Sequence, residues 1–385
     1  MKTIAITAAT LATLGTAAAA SAQTQFDQVN RVFVDGLFNA DSDYGDQPTS
    51  IAFDGTTAYL GGLNNGGNVD LAGIGTITDL YGVFGTATTG AFGPSVINPA
   101  VGGRGYNSIA YDAGTNSVIA AYDSGAAGSS TLARYDASSG SQIWSVNQPS
   151  GARPFVAGAD PIAADVTDPS MAAFLVQGSG RRLALDIDDG SLEYSTGSPS
   201  PGGAIIFDGD LGTAFRGMDF NTSGDLAYAT ANGFGYYERT GTNTFSQLSK
   251  ILTTGGTNNL GRDIAILEGL GENGADLLAV TARGSTAIAG NAINENYVYI
   301  IDLDGNIIQE LTGDESGLAE TFANNTKQLD YAIGANGAPT LAITDLVERR
   351  VDIYQIAPAT IPEPGSLALL GGLGGLTLLR RRRNG

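Results

Sequence analysis

The sequence predicts an all-β fold, a β-propeller of six or seven four-stranded blades. Glycine contributes 55 of the 385 residues and only 15 % of residues are charged, a composition typical of short strands joined by tight turns. A four-residue motif recurs at intervals of 46–65 residues, and a hairpin turn and a second strand follow most copies. Repeats of this length that hold four antiparallel strands are typical of propeller blades.

The motif alternates apolar with small or polar residues, as the innermost strand of a blade should. Its clear copies are residues 51–54, 109–112 and 218–221, and its looser copies are residues 162–165, 264–267 and 329–332. The last repeat contains only three predicted strands, one fewer than a complete blade. We expect residues 29–34 to supply the missing outer strand beside residues 351–356, which closes the ring and leaves no open edge.

Two alternatives to six blades remain open at this point. A seventh blade fits only if the interval 61–103 or the interval 250–323 contains a further repeat. A two-domain β-sandwich or a β-helix would also consist of short strands, although no linker divides the body and hairpin turns are frequent.

The N-terminus predicts a secretory signal peptide. Lys2 gives a positive start, residues 4–20 carry no charge, and the small residues Ala20 and Ala22 precede a cleavage site that leaves Gln23 as the first mature residue. An uncleaved anchor helix is the alternative. The expected partners of this end are the Sec translocase and a signal peptidase.

The C-terminus combines three features in a fixed order. Pro362, Glu363 and Pro364 precede an uncharged segment, which ends in the cluster Arg380, Arg381, Arg382 and Arg383. Prolines terminate a preceding element, and arginines hold a segment end on the cytoplasmic side of a membrane. This tail resembles the PEP-CTERM sorting signal of Gram-negative bacteria.

The resemblance implies export and processing by an integral-membrane exosortase. The protein would be held in the inner membrane by its tail, transiently or permanently, and then reach the cell surface or the extracellular matrix. Residues 366–379 are 14 residues and would measure about 21 Å as a hydrophobic helix. Roughly 20 residues are needed to span a bilayer, so we expect a temporary stop rather than a permanent anchor. The chain thus divides into a signal peptide (1–22), a propeller body (23–357) and a sorting tail (358–385).

Composition excludes several classes of function. The formal net charge is −20, and the body is more acidic still because five of the 19 basic residues lie in the two ends. Such a charge repels nucleic acid, so none is expected as a partner. The chain contains neither histidine nor cysteine, which rules out a Ser-His-Asp triad, thiol catalysis and zinc held by His or Cys.

Candidate binding residues are few. Arg104, Arg216 and Arg262 precede the innermost strands of their repeats, so we expect them at one mouth of the central channel, where they can bind an anionic group. Two acidic loops are weaker candidates for Ca²⁺ because oxygen ligands alternate along them: Asp41 with Asp43, and Asp302 with Asp304. No catalytic set and no other cofactor is expected.

These observations favour an exported, non-enzymatic binding or structural module of the envelope or of an exopolysaccharide matrix, with a glycan as its ligand. The alternative is an extracellular propeller enzyme, a polysaccharide lyase or hydrolase that uses carboxylate, Tyr or Arg side chains. The arrangement of side chains should separate the two. An enzyme should gather two acids, or an acid with Tyr and Arg, in one deep pocket, whereas a binding module should have a shallow, solvated channel mouth.

Overall fold

The described part of the molecule consists almost entirely of β-strands. The computed structural model describes residues 25–39, 42, 44–63, 71–97, 105–123, 131–147, 155–160, 171–176, 182–195, 203–204, 206–209, 216–241, 244–255, 260–315, 322 and 327–356. One short 3₁₀ turn, Glu272–Gly274, interrupts these strands. Both predicted terminal helices lie outside these residues. None of the described segments is a helix long and apolar enough to cross a membrane.

The first three blades follow one another along the chain, after a strand β1 (Phe26–Phe33) that belongs to the last blade. Blade 1 contains β2 (Gln47–Phe53), β3 (Ala58–Leu63), β4 (Leu71–Thr78) and β5 (Thr88–Ile97). Blade 2 contains β6 (Gly105–Asp112), β7 (Ser117–Asp123), β8 (Thr131–Asp136) and β9 (Gln142–Asn147). Blade 3 contains β10 (Phe155–Asp160), β11 (Met171–Val176), β12 (Arg182–Asp186) and β13 (Leu192–Ser195), with the short β14 (Gly203–Ala204) at its edge.

The remaining blades complete the ring. Blade 4 contains β15 (Ile206–Asp208) at its edge, then β16 (Gly217–Phe220), β17 (Leu226–Thr230), β18 (Gly233–Gly241) and β19 (Thr244–Thr254). Blade 5 contains β20 (Leu260–Leu267), β21 (Leu277–Arg283), β24 (Val298–Ile301) and β25 (Ile307–Leu311). Between its second and third strands lies a hairpin that pairs with β19, formed by β22 (Ala287–Ile288) and β23 (Asn291–Ala292). Blade 6 contains β26 (Lys327–Ile333), β27 (Pro339–Asp345), β28 (Arg350–Ile356) and β1.

The first strand of each blade lies innermost, and these strands form a closed circle. Contacts run from β2 to β6, β10, β16, β20 and β26, and from β26 back to β2. Six blades are thus formed by the described residues, which confirms the propeller prediction. The intervals proposed for a seventh blade hold the long β4–β5 hairpin and the β22–β23 hairpin instead.

The strand β1 closes the ring as expected. It pairs antiparallel with β28, and Arg31 lies directly opposite Asp352. Arg31 Nε is 2.7 Å from Asp352 Oδ1, Arg350 Nε is 3.0 Å from Asp352 Oδ2, and all three side chains are at most 1 % exposed. The N-terminal strand is therefore joined to the C-terminal blade by backbone pairing and by a buried group of charges.

Apolar cores lie between neighbouring blades. The middle strand β7 is buried at every residue because a blade packs on each of its faces, so residues 118–122 between its polar ends are apolar without alternation. Between blades 5 and 6, Val298 and Leu311 pack with Leu341 and Tyr354, all at 0 % exposure. Burying such a side chain stabilises the fold by roughly 1.5–3 kcal/mol.

One motif copy was assigned wrongly. Residues 162–165 were expected to begin the third repeat, but the innermost strand of blade 3 is β10, which ends at Asp160. Pro161 follows in the sequence, and a proline can neither donate a ladder hydrogen bond nor continue a central strand. Ile162 and Ala163 after this proline resemble the motif in residue type only. Residues 161–170 lie outside the described part.

Candidate functional site: the central channel

A cavity of about 370 Å³ lies in the channel that the six innermost strands surround. Its lining begins near the middle of these strands, at Ser108 and Asp263, and continues to their C-terminal ends at Asp54, Asp112 and Glu268. We call the middle level the waist, and the opening at the strands' C-terminal ends the strand-end mouth. The strand-start mouth is the opposite opening, on the far side of the waist from the cavity.

Three aspartates form the waist. Asp219, Asp263 and Asp330 come from the innermost strands of blades 4, 5 and 6, and all three line the cavity. Asp219 and Asp330 occupy the second position of their motif copies, and Asp263 immediately precedes its own copy. These positions are two residues apart along the strand and so lie on one face, because strand side chains alternate. Period-two geometry therefore directs all three carboxyl groups towards the channel.

Each waist carboxylate bridges two blades. Asp219 Oδ2 accepts the backbone N–H of Ile266 in the next blade at 2.7 Å, and its Oδ1 accepts the N–H of Phe220 at 2.8 Å. Asp330 repeats this pattern across the ring closure, where its Oδ2 accepts the N–H of Phe53 at 2.5 Å.

Asp263 bridges blades 5 and 6 in the same way, since its Oδ2 accepts the N–H of Leu329 at 2.7 Å. Ser108 forms the corresponding bridge between blades 2 and 3, where its Oγ accepts the N–H of Ala157 at 3.0 Å. Gly217 makes room for Asp263, because a Cβ at position 217 would lie 2.0 Å from Asp263 Oδ1. The waist side chains thus satisfy N–H groups on strand edges that no neighbouring strand covers.

Burial raises the pKa values of the waist carboxyl groups. The pKa of Asp219 and that of Asp263 rise from 3.8 to about 7, although the backbone N–H bonds that they accept oppose the shift. The pKa of Asp330 rises well above its usual range, first through burial and then through the charges of Asp219 and Asp263. The three carboxyl groups therefore lie in one cavity, and the charges of Asp219 and Asp263 raise the pKa of Asp330.

The strand-end mouth combines carboxylates with aromatic rings. Asp54 accepts the N–H of Thr57 at 2.7 Å and the hydroxyl of Tyr59 at 3.0 Å. The ring of Tyr111 stacks on that of Tyr59 with centroids 6.2 Å apart, and it remains partly exposed to the cavity.

Two more acids complete this mouth. Asp112 accepts the N–H groups of Gly114 and Thr115, and Glu268 accepts the N–H and the hydroxyl of Thr222. Six carboxyl side chains thus line the cavity, and its described lining contains no lysine or arginine. Such a site attracts hydroxyl and ammonium groups and repels anions.

The structure places two of the three predicted arginines on the other side of the waist. Arg262 immediately precedes Asp263 within β20, and Arg216 immediately precedes β16 in the neighbouring blade. Neither lines the cavity. Arg104 lies outside the described residues.

The calcium candidates receive no support from the described residues. Asp302 caps a hairpin turn, since its Oδ1 accepts the N–H of Asn306 at 2.8 Å and its Oδ2 accepts the Asn306 side-chain amide at 2.8 Å. Asp304 is exposed at that turn, and no three acidic side chains of the described part lie close enough together to hold a metal ion. Asp41 and Asp43 lie outside the described part.

The predicted processing residues also lie outside it, so export and tail removal remain predictions. They are Ala20, Ala22 and Gln23 at the signal cleavage site, and Pro362, Glu363, Pro364, Arg380, Arg381, Arg382 and Arg383 in the tail.

Sequence reasoning missed the three waist aspartates. A signal was present, because Asp219 and Asp330 occupy the motif position at which other copies have Ala52 and Ala110. A charged residue in the middle of an apolar inner strand needs a partner, and the structure shows that the partners are N–H groups of the next blade.

Comparison with known proteins finds distant likenesses. No protein-family model and no curated protein matches the sequence. A putative gluconolactonase is 13 % identical over 86 % of this chain and 98 % of its own, with a TM-score of 0.47. The PQQ-bound aldose sugar dehydrogenase of Streptomyces coelicolor is 15 % identical over 80 % of this chain and 93 % of its own, with a TM-score of 0.47. The C-terminal WD40 domain of Sif2 is 10 % identical over 87 % of this chain and 99 % of its own, with a TM-score of 0.44.

Proposed function

We propose that this chain is an exported propeller that binds a neutral or amino-sugar glycan at the strand-end mouth of its channel. Its signal peptide would direct it through the Sec translocase. Its tail would be processed by an exosortase, which would leave the propeller at the cell surface or in an exopolysaccharide matrix. The ends of the sequence support the location, and the cavity supports the ligand class.

The hydrogen bonds of the cavity carboxyl groups favour binding over catalysis. Each of the six carboxyl groups that line the cavity accepts hydrogen bonds from protein N–H or O–H donors. A general acid or base must be able to exchange its proton with a substrate, and a carboxylate that already accepts hydrogen bonds from protein donors is poorly placed to do so. The same carboxylates retain lone pairs that can accept sugar hydroxyl or ammonium groups.

The aromatic residues supply the other half of a sugar site. Tyr111 and Tyr331 line the cavity beside Asp112 and Glu268, and both rings are partly exposed. Sugar rings pack their C–H faces against aromatic rings while their hydroxyls bond to carboxylates. The absence of lysine and arginine from the described lining disfavours a uronic acid polymer as the ligand of this mouth.

The enzyme alternative has one observation in its favour. The waist gathers three acids in one deep cavity, which is the arrangement expected of a carboxylate hydrolase, and the pKa of Asp219 is raised to about 7. Incubation of the full chain with the bound glycan separates the two functions. New reducing ends that form with the native chain and not with Asp219→Asn would identify an enzyme and overturn the binding proposal.

Replacing Tyr111 with leucine should weaken binding of chitosan oligosaccharides by about 1 kcal/mol, roughly fivefold in Kd, because the stacking ring is lost while apolar packing on Tyr59 is kept. Titration calorimetry of the full chain measures this change. Tyr297→Leu is the matched control, since Tyr297 is partly exposed in blade 5 and away from the cavity. Equal Kd values for Tyr111→Leu and the native chain would exclude this mouth as the binding site.

Mass spectrometry of the protein from cells and from medium should find a mature form that begins at Gln23 and lacks the four C-terminal arginines. The intact chain should accumulate in a strain without exosortase activity. Finding Met1 and Gly385 in every fraction of a normal strain would contradict both export and processing.

A further inference from the structure

The strand-start mouth contains a group of positive charges that glycan binding does not use. Arg262 is the extra residue of a β-bulge in β20, because Gly261 pairs with Ala282 and Asp263 pairs with Thr281, which leaves Arg262 without a cross-strand partner. A bulge redirects a side chain out of the regular alternation. Here it places a guanidinium on the far side of the waist from the cavity, immediately before a waist aspartate.

The Nε atom of Arg262 is buried without a described hydrogen-bond acceptor. This nitrogen is shielded from solvent, and no acceptor among the described residues lies within hydrogen-bond distance of it. A buried donor that is left unsatisfied destabilises the fold, and more so when the group is charged. Buried polar groups in folded proteins nearly always have a hydrogen-bond partner, so the Nε of Arg262 is available to a ligand.

Other arginines surround Arg262 rather than acids that neutralise it. The pKa of Arg262 is lowered to about 10, chiefly by burial and in addition by the charges of Arg216 and Arg283. Among the described residues, the acid whose charge counteracts this effect is Asp263, and its Oδ2 already accepts the N–H of Leu329. Glu295, the acid on the adjoining loop, accepts the N–H of Gly284.

We propose that Arg262, with Arg216 and Arg283, forms an anion-binding site at the strand-start mouth, which takes a carboxylate or phosphate group. The planar guanidinium fork pairs with two oxygens of such a group at once, and an anion would satisfy the buried Nε. Arg216 and Arg262 come from neighbouring blades at the same level, immediately before Gly217 and Asp263. A bound anion would therefore bridge blades 4 and 5 on the channel side.

The two mouths of the channel thus differ in charge. The strand-end mouth is lined by carboxylates, whereas the strand-start mouth presents guanidinium groups. The whole chain carries a net charge of −20, so its long-range field repels anions and only the local contacts of this site can hold one. We therefore expect selective binding here rather than general adsorption of acidic polymers.

Calorimetric titration of the full chain with sodium glucuronate, with inorganic phosphate and with glucose tests the site. Glucuronate or phosphate should bind and glucose should not, and Arg262→Gln should weaken that binding at least tenfold. Lys250→Gln is the matched control, because it removes one positive charge from an exposed position on β19, outside the channel, and should leave binding unchanged.

Binding of phosphate alone would assign the site to phosphate groups, and binding of glucuronate alone would assign it to carboxylates. Failure of both anions to bind would overturn the proposal, as would equal losses in Arg262→Gln and Lys250→Gln.

A second measurement separates an anion site from a purely structural arginine. Anion binding should raise the melting temperature of the native chain, and Arg262→Gln should abolish this rise without lowering the melting temperature in anion-free buffer. Arg262→Lys keeps the charge but loses the fork, so it should retain a smaller rise. A large fall in anion-free stability for both Arg262→Gln and Arg262→Lys would show that Arg262 serves the fold instead.

Discussion

Replacing Asp352 with alanine is expected to lower the free energy of unfolding by about 3–5 kcal/mol, because two buried guanidinium groups would lose their shared carboxylate. Arg31 and Arg350 both contact Asp352, and none of these side chains is more than 1 % exposed. Arg31 lies on the N-terminal strand and Asp352 on the strand that it pairs with. The loss should therefore weaken ring closure itself. Urea denaturation of the native and variant chains measures the change.

An exposed ion pair provides the comparison for this effect. Asp35 is 3.6 Å from Arg349 and its side chain is 62 % exposed, so Asp35→Asn should cost no more than about 1 kcal/mol. Limited proteolysis adds a local readout, since Asp352→Ala should release the segment before β2 earlier than the native chain does. A change below 1 kcal/mol for Asp352→Ala would show that the charge group contributes little to closure.

The architecture could be predicted because it depends on local patterns that repeat. Turn residues such as Asp304 and Gly305, between strands of alternating residues, mark a hairpin wherever they occur. The outer closing strand β1 could be predicted by counting, because the last repeat had three strands and a ring needs four. The start of blade 3 could not be placed correctly, since its inner strand, Phe155–Asp160, contains mostly small residues and lacks the apolar motif.

The site was less predictable because it depends on contacts between distant residues. The sequence predicts Arg216 and Arg262 just before the inner strands; Arg216 does precede β16, whereas Arg262 lies within β20 as its bulged residue. The hydrogen-bond partners at the waist could not be predicted, because Asp219 and Asp330 bond to backbone N–H groups of Ile266 and Phe53, which no residue type reveals. Sequence identifies a charged residue in an apolar strand, but only the packing of blades shows what holds it.

The waist aspartates join adjacent blades in a way that depends on their protonation. Each carries a hydrogen-bonded link between inner strands, and their mutual repulsion grows when they ionise. The chain contains no histidine and no cysteine, so few side chains other than the waist acids can titrate near neutral pH. Hydrogen bonds in turns lower the pKa values of Asp136 and Asp189, which moves these groups further from neutral pH.

Stability should therefore fall as the pH rises from about 4 to about 7. The unfolded chain releases the protons of Asp219 and Asp263 near pH 4, whereas the folded chain keeps them until about pH 7. Between these values the folded state binds more protons, so the free energy of unfolding decreases with pH. We expect a loss on the order of 5 kcal/mol between pH 5 and pH 8, with about half from each of these two groups, measured by urea denaturation at several pH values. Asp219→Asn should reduce this slope, and Asp304→Asn, at an exposed turn, should not. A stability that is constant or rises over this range would show that the waist carboxyl groups are already ionised at pH 5.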